Sequence, residues 1–312
     1  MTAPLLSVIV FCDPQHDNTG TAYVSCVLAQ TLPFADFELI IADDSDRHVF
    51  RDEAMAAAAQ NPALQFRYLP VSRRGRAATV NEGIANARGE VIAIFADDAL
   101  PTPGAFAAHL RFHQINPDPF AVSIGPTPFR DPLRNDLLRR WLEDSGSLFG
   151  VPVRRQPTHW PRDFFFSGNC AMKRSLIRHI GGFDERFPWI TWDDYEFGLR
   201  LVAAGGYSQL VSSGLAWHEH YVTLEERAGA MRKGGHAARL HETFGAVARP
   251  WQTRLDSAAR QRHLPLCGDD PQLSAIERVT HFQRHFDRAF LEGYEAESRG
   301  DRSDLVGLVG TT

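Results

Sequence analysis

The chain has 312 residues, of which 44% are hydrophobic and 23% charged, with a formal net charge of −5. Those fractions sit close to the usual roughly 45–50% and 25% of soluble globular domains, which excludes a wholly disordered chain and points to one large domain or one with an appendage. The negative balance gives no global attraction to phosphate backbones, so nucleic acid is set aside as a partner.

The apolar runs Val8 to Cys12 and Val91 to Ala96 are too short to cross a bilayer, and Met1-Thr-Ala-Pro4 lacks the positive start of a secretory signal. The expected address is therefore the cytoplasm. Cys12, Cys26, Cys170 and Cys267 are scattered, with no Cys-x-x-Cys pair, and read as reduced thiols. Only Lys173 and Lys233 among the 33 basic residues are lysines, a bias that composition alone explains.

Strand-like and helix-like segments alternate from the start. Leu5 to Phe11 reads as a strand and Thr19 to Gln30 as a helix. Phe37 to Ala42 reads as a second strand ending at Asp43-Asp44, followed by a helix over 51–60 and a short strand over 66–69. Arg76 to Ala87 reads as a helix closed by Gly89, feeding a strand over 91–95 that ends in Asp97-Asp98. Pro101-Thr-Pro103 breaks the chain before a helix over 104–115. Such alternation indicates a mostly parallel sheet, with ligands expected beyond the carboxyl ends of its strands.

Between Pro117 and Pro161 the periodicity is poor, with one short helix expected near Leu133 to Leu142. Helices are expected again over 174–180 and 193–204. Leu273, Ile276, Val279, Phe282, Phe286, Phe290 and Tyr294 then recur at steps of three or four, the stripe of a docking helix. That stripe leaves three uses open: covering an acceptor pocket, docking a second copy, or lying on a membrane surface.

No G-x-G-x-x-G and no Gly-Lys-Ser/Thr occurs, so the common phosphate-cradling loops are missing. Asp97-Asp98 at a strand end offers hard oxygen ligands for a divalent ion, or equally a turn. His218 and His220 alternate after an apolar run, which puts both imidazoles on one side, as a metal or diphosphate contact requires; either reads also as an ordinary structural histidine. Arg73, Arg74 and Arg76 flank Gly75, where a guanidinium fork suits a phosphate or base edge and a solvated turn is the alternative. Asp193-Asp194 opens a helix: Asp193 suits an N-cap, with Glu196 three residues on as its box partner. Trp189, Trp192 and Tyr195 surround that pair with aromatic faces suited to a sugar ring, or to core packing.

The stretch Gly75-Arg-Ala-Ala-Thr-Val-Asn-Glu-Gly83 through Phe95-Ala-Asp-Asp-Ala-Leu-Pro101 closely resembles the family 2 glycosyltransferases of the GT-A fold. Leu6-Ser-Val-Ile-Val10, Glu38 to Ser45, Ser167-Gly-Asn169, Gly181-Gly-Phe-Asp-Glu185 and Trp192 to Leu201 are similar to that family's other motifs, in the usual order, over roughly residues 5–220. The resemblance implies an inverting transferase with a Rossmann-like, mostly parallel sheet flanked by helices. Its catalytic domain would occupy 1–221, with a donor half to about 116 and an acceptor half over 117–221. A helical extension would follow over 222–298 and a flexible tail over 299–312.

By the same resemblance, Asp98, Asp97, His218 and His220 would hold Mn²⁺ or Mg²⁺, with Asp98 the direct ligand. Asp13, Asp43, Asp44, Arg73, Arg74, Arg76, Asn81 and Asp97 would face the donor, an aspartate of the 43–44 pair reading the base. Gly168, Asn169, Trp192, Asp193 and Tyr195 would lie on the acceptor side, and Asp194 would be the general base. The donor would be a nucleoside-diphosphate sugar, most commonly UDP-linked among relatives, and the partner an acceptor hydroxyl. Oligomeric state and contact with the inner face of a membrane stay open. One departure is Ala96, where many relatives carry the first aspartate of the metal motif; it keeps a non-catalytic sugar-nucleotide binder in view. A metal-dependent nucleotidyltransferase is disfavoured, because residues 12–20 hold one glycine and no lysine.

Overall fold

The structure is a computed structural model, and it describes residues 3–12, 20–45, 49–71, 75–131, 133–149, 165–187, 192–244, 251–266 and 270–305. The chain runs β1 (Leu6–Cys12), α1 (Gly20–Leu28), β2 (Phe37–Asp43), α2 (Val49–Gln60), β3 (Gln65–Pro70), α3 (Arg76–Asn86), β4 (Val91–Ala96), β5 (Ala99–Pro101) and α4 (Ala105–Ile115). It continues through β6 (Ala121–Ile124), α5 (Leu137–Ser145), β7 (Asn169–Lys173), α6 (Arg174–Ile180), α7 (Asp193–Ala203), β8 (Tyr207–Leu210) and β9 (Ala216–His218). Three long helices close it: α8 (Leu224–Thr243), α9 (Gln252–Arg260) and α10 (Ala275–Ser298).

Seven strands form one sheet in the order β3-β2-β1-β4-β7-β6-β8, parallel except for β7, which runs antiparallel to both neighbours. Every residue of β1 and β2 is buried, which is why these strands read as almost unbroken apolar runs. Alternation sorts their side chains onto two faces. Val8, Val10, Leu39, Ile41, Ala93 and Phe95 pack under α1, α2 and α4, while Ile9, Phe11, Ile40, Ile92 and Ile94 pack under α3, α6 and α7. Strand order reverses between β1 and β4, so the crevice at their carboxyl ends is the switch point where such sheets bind ligands.

Several expectations move. The short helix begins at Leu137 rather than Leu133, because Asp136 caps it by accepting from the Arg139 amide, and Gly146 ends it in the left-handed region. Gly89 is required by a close approach rather than by helix termination: a Cβ there would stand 2.6 Å from the Ser7 amide nitrogen. The expected flexible tail starts too early at Arg299. Arg302 pairs with Glu297, Asp304 with His236, and Leu305 is buried against Phe187, Ala237 and Leu240.

The hydrophobic cluster also runs across the expected boundary at residue 221, joining Phe129, Leu138, Leu142 and Leu148 to Met231, Trp251, Phe282, Phe286 and Phe290. Within the helical part, α8 and α10 approach closely because a Cβ at Gly235 or Gly293 would stand 2.0 Å from a carbonyl oxygen of the facing helix. Among the described residues no helix is long and apolar enough to cross a membrane, and Cys12, Cys26 and Cys170 form no disulfide. Cys267 lies outside the described residues.

Candidate active site

Beyond β4 the chain turns through Asp97 and Asp98 into β5, whose antiparallel pairing with β9 sets Ala99 opposite His218. The Glu219 amide donates to the Asp98 carbonyl at 2.9 Å, fixing that register. The outcome is a small acidic and imidazole cluster. His218 Nε2 lies 3.1 Å from Asp98 Oδ2 and His220 Nδ1 3.9 Å from the same oxygen, with the two rings nearly parallel at 14°. The alternation seen in the sequence thus puts both imidazoles beside one carboxylate. Phe129 and Phe149 pack edge-on against His218 and bury it, and His218 Nδ1 has no hydrogen-bond partner.

One carboxylate oxygen with two imidazoles is a donor set that fits a divalent cation of the manganese type better than magnesium, which prefers oxygen alone. Among the described residues no three acidic, imidazole or thiol side chains form a ready-made cage, so such an ion would need ligands from a bound diphosphate. Asp97 is fully buried on the α1 side, where burial and the nearby Cys26 and Asp97 push the Tyr23 phenol well up.

At the end of β2, Asp43 accepts from the Ser45 amide at 2.7 Å and from the Tyr68 hydroxyl at 2.6 Å, and Asp44 accepts from the Gly75 amide at 2.9 Å. Both are buried. They shape the turn that leads into α3. Burial, then the hydrogen bond to Asp43, raises the Tyr68 phenol. Asp13, Arg73, Arg74 and Trp189 lie outside the described residues.

The first residue of α3, Arg76, is engaged within the protein. Its guanidinium lies 5.0 Å from the Phe11 ring centroid at the end of β1 and donates from Nη1 to Asp193 Oδ1 at 2.5 Å. Phe11 is paired with Ala96, so this contact carries the start of α7 to the same rim as Asp98. Asp193 is consequently no helix cap. Trp192 holds the N-cap position with φ 72°, the one non-glycine residue at positive φ among those described, and Glu196 pairs with Arg200 instead of closing a capping box. Asp194, half-buried in the first turn of α7, accepts from the Tyr195 amide at 2.9 Å. The helix start favours both carboxylates electrostatically.

Other expected site residues also brace the fold. Asn81 donates to the Phe183 carbonyl at 2.9 Å and to Glu185 at 3.0 Å, and accepts from the Phe183 amide at 2.8 Å, tying α3 to the turn before α7. Asn169 is fully buried, donating to the Gly214 carbonyl and bonded through Oδ1 to His109. Gly168 lies just before β7, its carbonyl accepting from the Ala96 amide. Trp192 and Tyr195 pack with Trp251 of the helical part, and Trp192 also with Phe290, at centroid distances of 5.3 to 6.1 Å. The Arg76–Asp193 pair was not foreseen, and core packing, one of the two uses read for Trp192 and Tyr195, brings in Trp251 and Phe290 as partners. A buried arginine at a helix start is a signal only once its partner, 117 positions away, is known.

Residues 21–181 match the family described as Glycosyl transferase family 2. The chain belongs to that family. It is 23% identical over 228 residues to chondroitin synthase of Pasteurella multocida, covering 63% of this chain and 23% of that protein. It is 24% identical to the uncharacterized glycosyltransferase YfnE of Bacillus subtilis, covering 64% of this chain and 60% of that protein. A validoxylamine A glucosyltransferase of Streptomyces hygroscopicus is likewise 24% identical, over 65% of this chain and 52% of that protein. The chain thus spans less than two thirds of each of these relatives. Among solved structures, the mannosyltransferase PcManGT of Pyrobaculum calidifontis, in complex with GDP-Man and Mn²⁺, superposes with a TM-score of 0.55 at 17% identity over 98% of this chain and 76% of that one. That likeness establishes the GT-A fold, helical C-terminal part included.

Proposed function

We propose that this family 2 chain transfers a glycosyl group from a nucleoside-diphosphate sugar to an acceptor hydroxyl with inversion. The observation that carries the reading is the Asp98–His218–His220 cluster just past the end of β4, with Arg76, which lies over Phe11 at the neighbouring end of β1, paired to the acidic start of α7. In a direct displacement, Asp194 accepts the proton of the acceptor hydroxyl while the acceptor oxygen bonds to the anomeric carbon. The bond from that carbon to the diphosphate oxygen breaks, and the diphosphate leaves with the electron pair. Asp98, His218 and His220 would hold a divalent ion, which when bound supplies Lewis-acid stabilisation of the departing diphosphate. Asp43 and Asp44 shape the turn beside which the nucleotide base would lie. Ala96 leaves Asp98 as the direct carboxylate ligand, with imidazole in place of a second acid. We assign the reaction to the cytoplasm, with the acceptor an alcohol.

The test is nucleoside diphosphate release from UDP-, GDP- and dTDP-sugars with Mn²⁺ or Mg²⁺ and a panel of alcohol acceptors. Asp98→Ala is expected to weaken donor binding at least roughly tenfold, and Asp194→Asn to spare donor binding while reducing transfer by about 10²-fold or more. Full transfer by Asp194→Asn would overturn the assignment of the base.

A further inference from the structure

Two carboxylates adjacent in the chain open α7, and their surroundings differ sharply. Asp193 is 0% exposed and meets a guanidinium that is itself only 6% exposed, at 2.5 Å through a single oxygen. Its second oxygen, Oδ2, is buried with no hydrogen-bond partner. Arg76 is clamped between the Phe11 and Phe183 rings, at 5.0 and 6.0 Å, so the charge that faces Asp193 is held in place by both the sheet and the turn before α7.

Asp194, by contrast, is half-buried, accepts from the Tyr195 amide at 2.9 Å and forms no ion pair among the described residues. We propose that Arg76 is a positioning residue for the base: by pairing with the buried Asp193 it keeps the start of α7, and with it Asp194, seated on α3. This rests on the reading of Asp194 as the base.

Among the described residues, the groups that face the pair are few. Arg76 comes from α3, and Cys170 from β7, its thiol raised by burial and opposed by Arg76. Burial pushes the Asp193 carboxyl up, Arg76 pulls it down, and Asp194 pushes it up again. Without the guanidinium, two neighbouring carboxylates, one of them buried, cannot both stay ionised, and the pair would hold a proton to higher pH. In the fraction of molecules where that shared proton rests on Asp194, the base works only once it is lost.

The experiment is the pH dependence of kcat/KM for transfer in full-length wild type, Arg76→Met, Arg76→Lys, Asp193→Asn and Arg76→Met/Asp193→Asn, with nucleoside diphosphate affinity measured alongside. Arg76→Met is expected to move the acidic limb upward by about one pH unit and to lower kcat roughly 10- to 100-fold, with nucleotide affinity within about twofold. Arg76→Lys is expected to restore the limb, since it keeps the charge. Adding Asp193→Asn to Arg76→Met should also return the limb, by removing the like charge. Asp193→Asn alone should move the limb downward, because the whole field of Arg76 then acts on Asp194, and this arm stands if Arg76→Met does not fold. Limbs that stay at the wild-type position in folded variants, or a loss confined to nucleotide affinity, overturn the proposal. Asp194→Asn run in parallel separates the two failures: an active Asn variant sinks the base itself, whereas an inactive one with unmoved limbs sinks only the role of Arg76.

Discussion

Trp192 supplies a test of how the acidic turn is built. Its φ of 72° puts an L side chain in the left-handed region at a helix N-cap, where it makes no side-chain capping bond. Its ring packs against Tyr195, Trp251 and Phe290 at 5.2, 5.3 and 5.6 Å between centroids. Removing that ring should cost about 3–5 kcal/mol whichever small residue replaces it. The difference between Trp192→Gly and Trp192→Ala then isolates the backbone. A left-handed residue bearing a Cβ costs roughly 1–2 kcal/mol more than glycine there, whereas in regular structure glycine is the less stable by about 0.5–1 kcal/mol. The Gly variant is therefore expected to be the more stable by about 1 kcal/mol, a midpoint difference of about 0.3 M urea at a slope near 3 kcal/mol/M. An Ala variant as stable as the Gly variant, or more so, would refute the claim that packing of the ring holds this turn against its conformational preference.

Two further outcomes follow from polar side chains that brace the fold. Asn81→Ala loses three hydrogen bonds between α3 and the turn at 183–185 and is expected to destabilise the fold by about 2–3 kcal/mol in urea unfolding, with donor affinity by calorimetry unchanged. Lost donor affinity at full stability would return Asn81 to the donor site. His109 and His113 are buried, and burial holds each at about 4, below the ordinary 6.5. Between those values the unfolded chain takes up protons that the folded chain refuses, so stability must fall as pH drops from about 6.5 towards 4, by up to about 3 kcal/mol for each residue. His109→Asn should flatten that fall, as read from urea midpoints at pH 7, 6 and 5, and an unchanged slope would contradict the burial argument.

The parts of the fold that were legible in the sequence are those where one physical demand acts on every residue. Strands buried on both faces have to be apolar throughout, so β1, β2 and β4 were found within a residue or so of their observed ends. Alternation alone set His218 and His220 side by side, because strand geometry is periodic whatever the chemistry. By contrast β6, β7 and β8 are four or five residues long, and all three carry a buried polar residue into the sheet, Ser123, Asn169 and Ser208, so no pattern announced them. The polar side chains were the hardest to read. Asn81, Asn169 and Arg76 have the chemistry of ligand contacts, but that chemistry serves equally to satisfy buried carbonyls and carboxylates, and only the fold decides which need is met.

That ambiguity bears on the C-terminal helices, whose stripe was visible while its target was not. Phe290 of α10 and Trp251 just before α9 meet Trp192, the residue immediately before the acidic pair, and Met231 and Ala238 of α8 belong to the same cluster. Strain in a non-glycine left-handed residue persists only where its surroundings over-determine it. The surroundings here are largely the helical part. The extension is thus coupled mechanically to the turn that sets Asp194: Arg76 grips that turn from the sheet side while the aromatic cluster grips it from the other. Residues beyond 221, outside the span that matches the family, consequently belong to the machinery of the acidic turn.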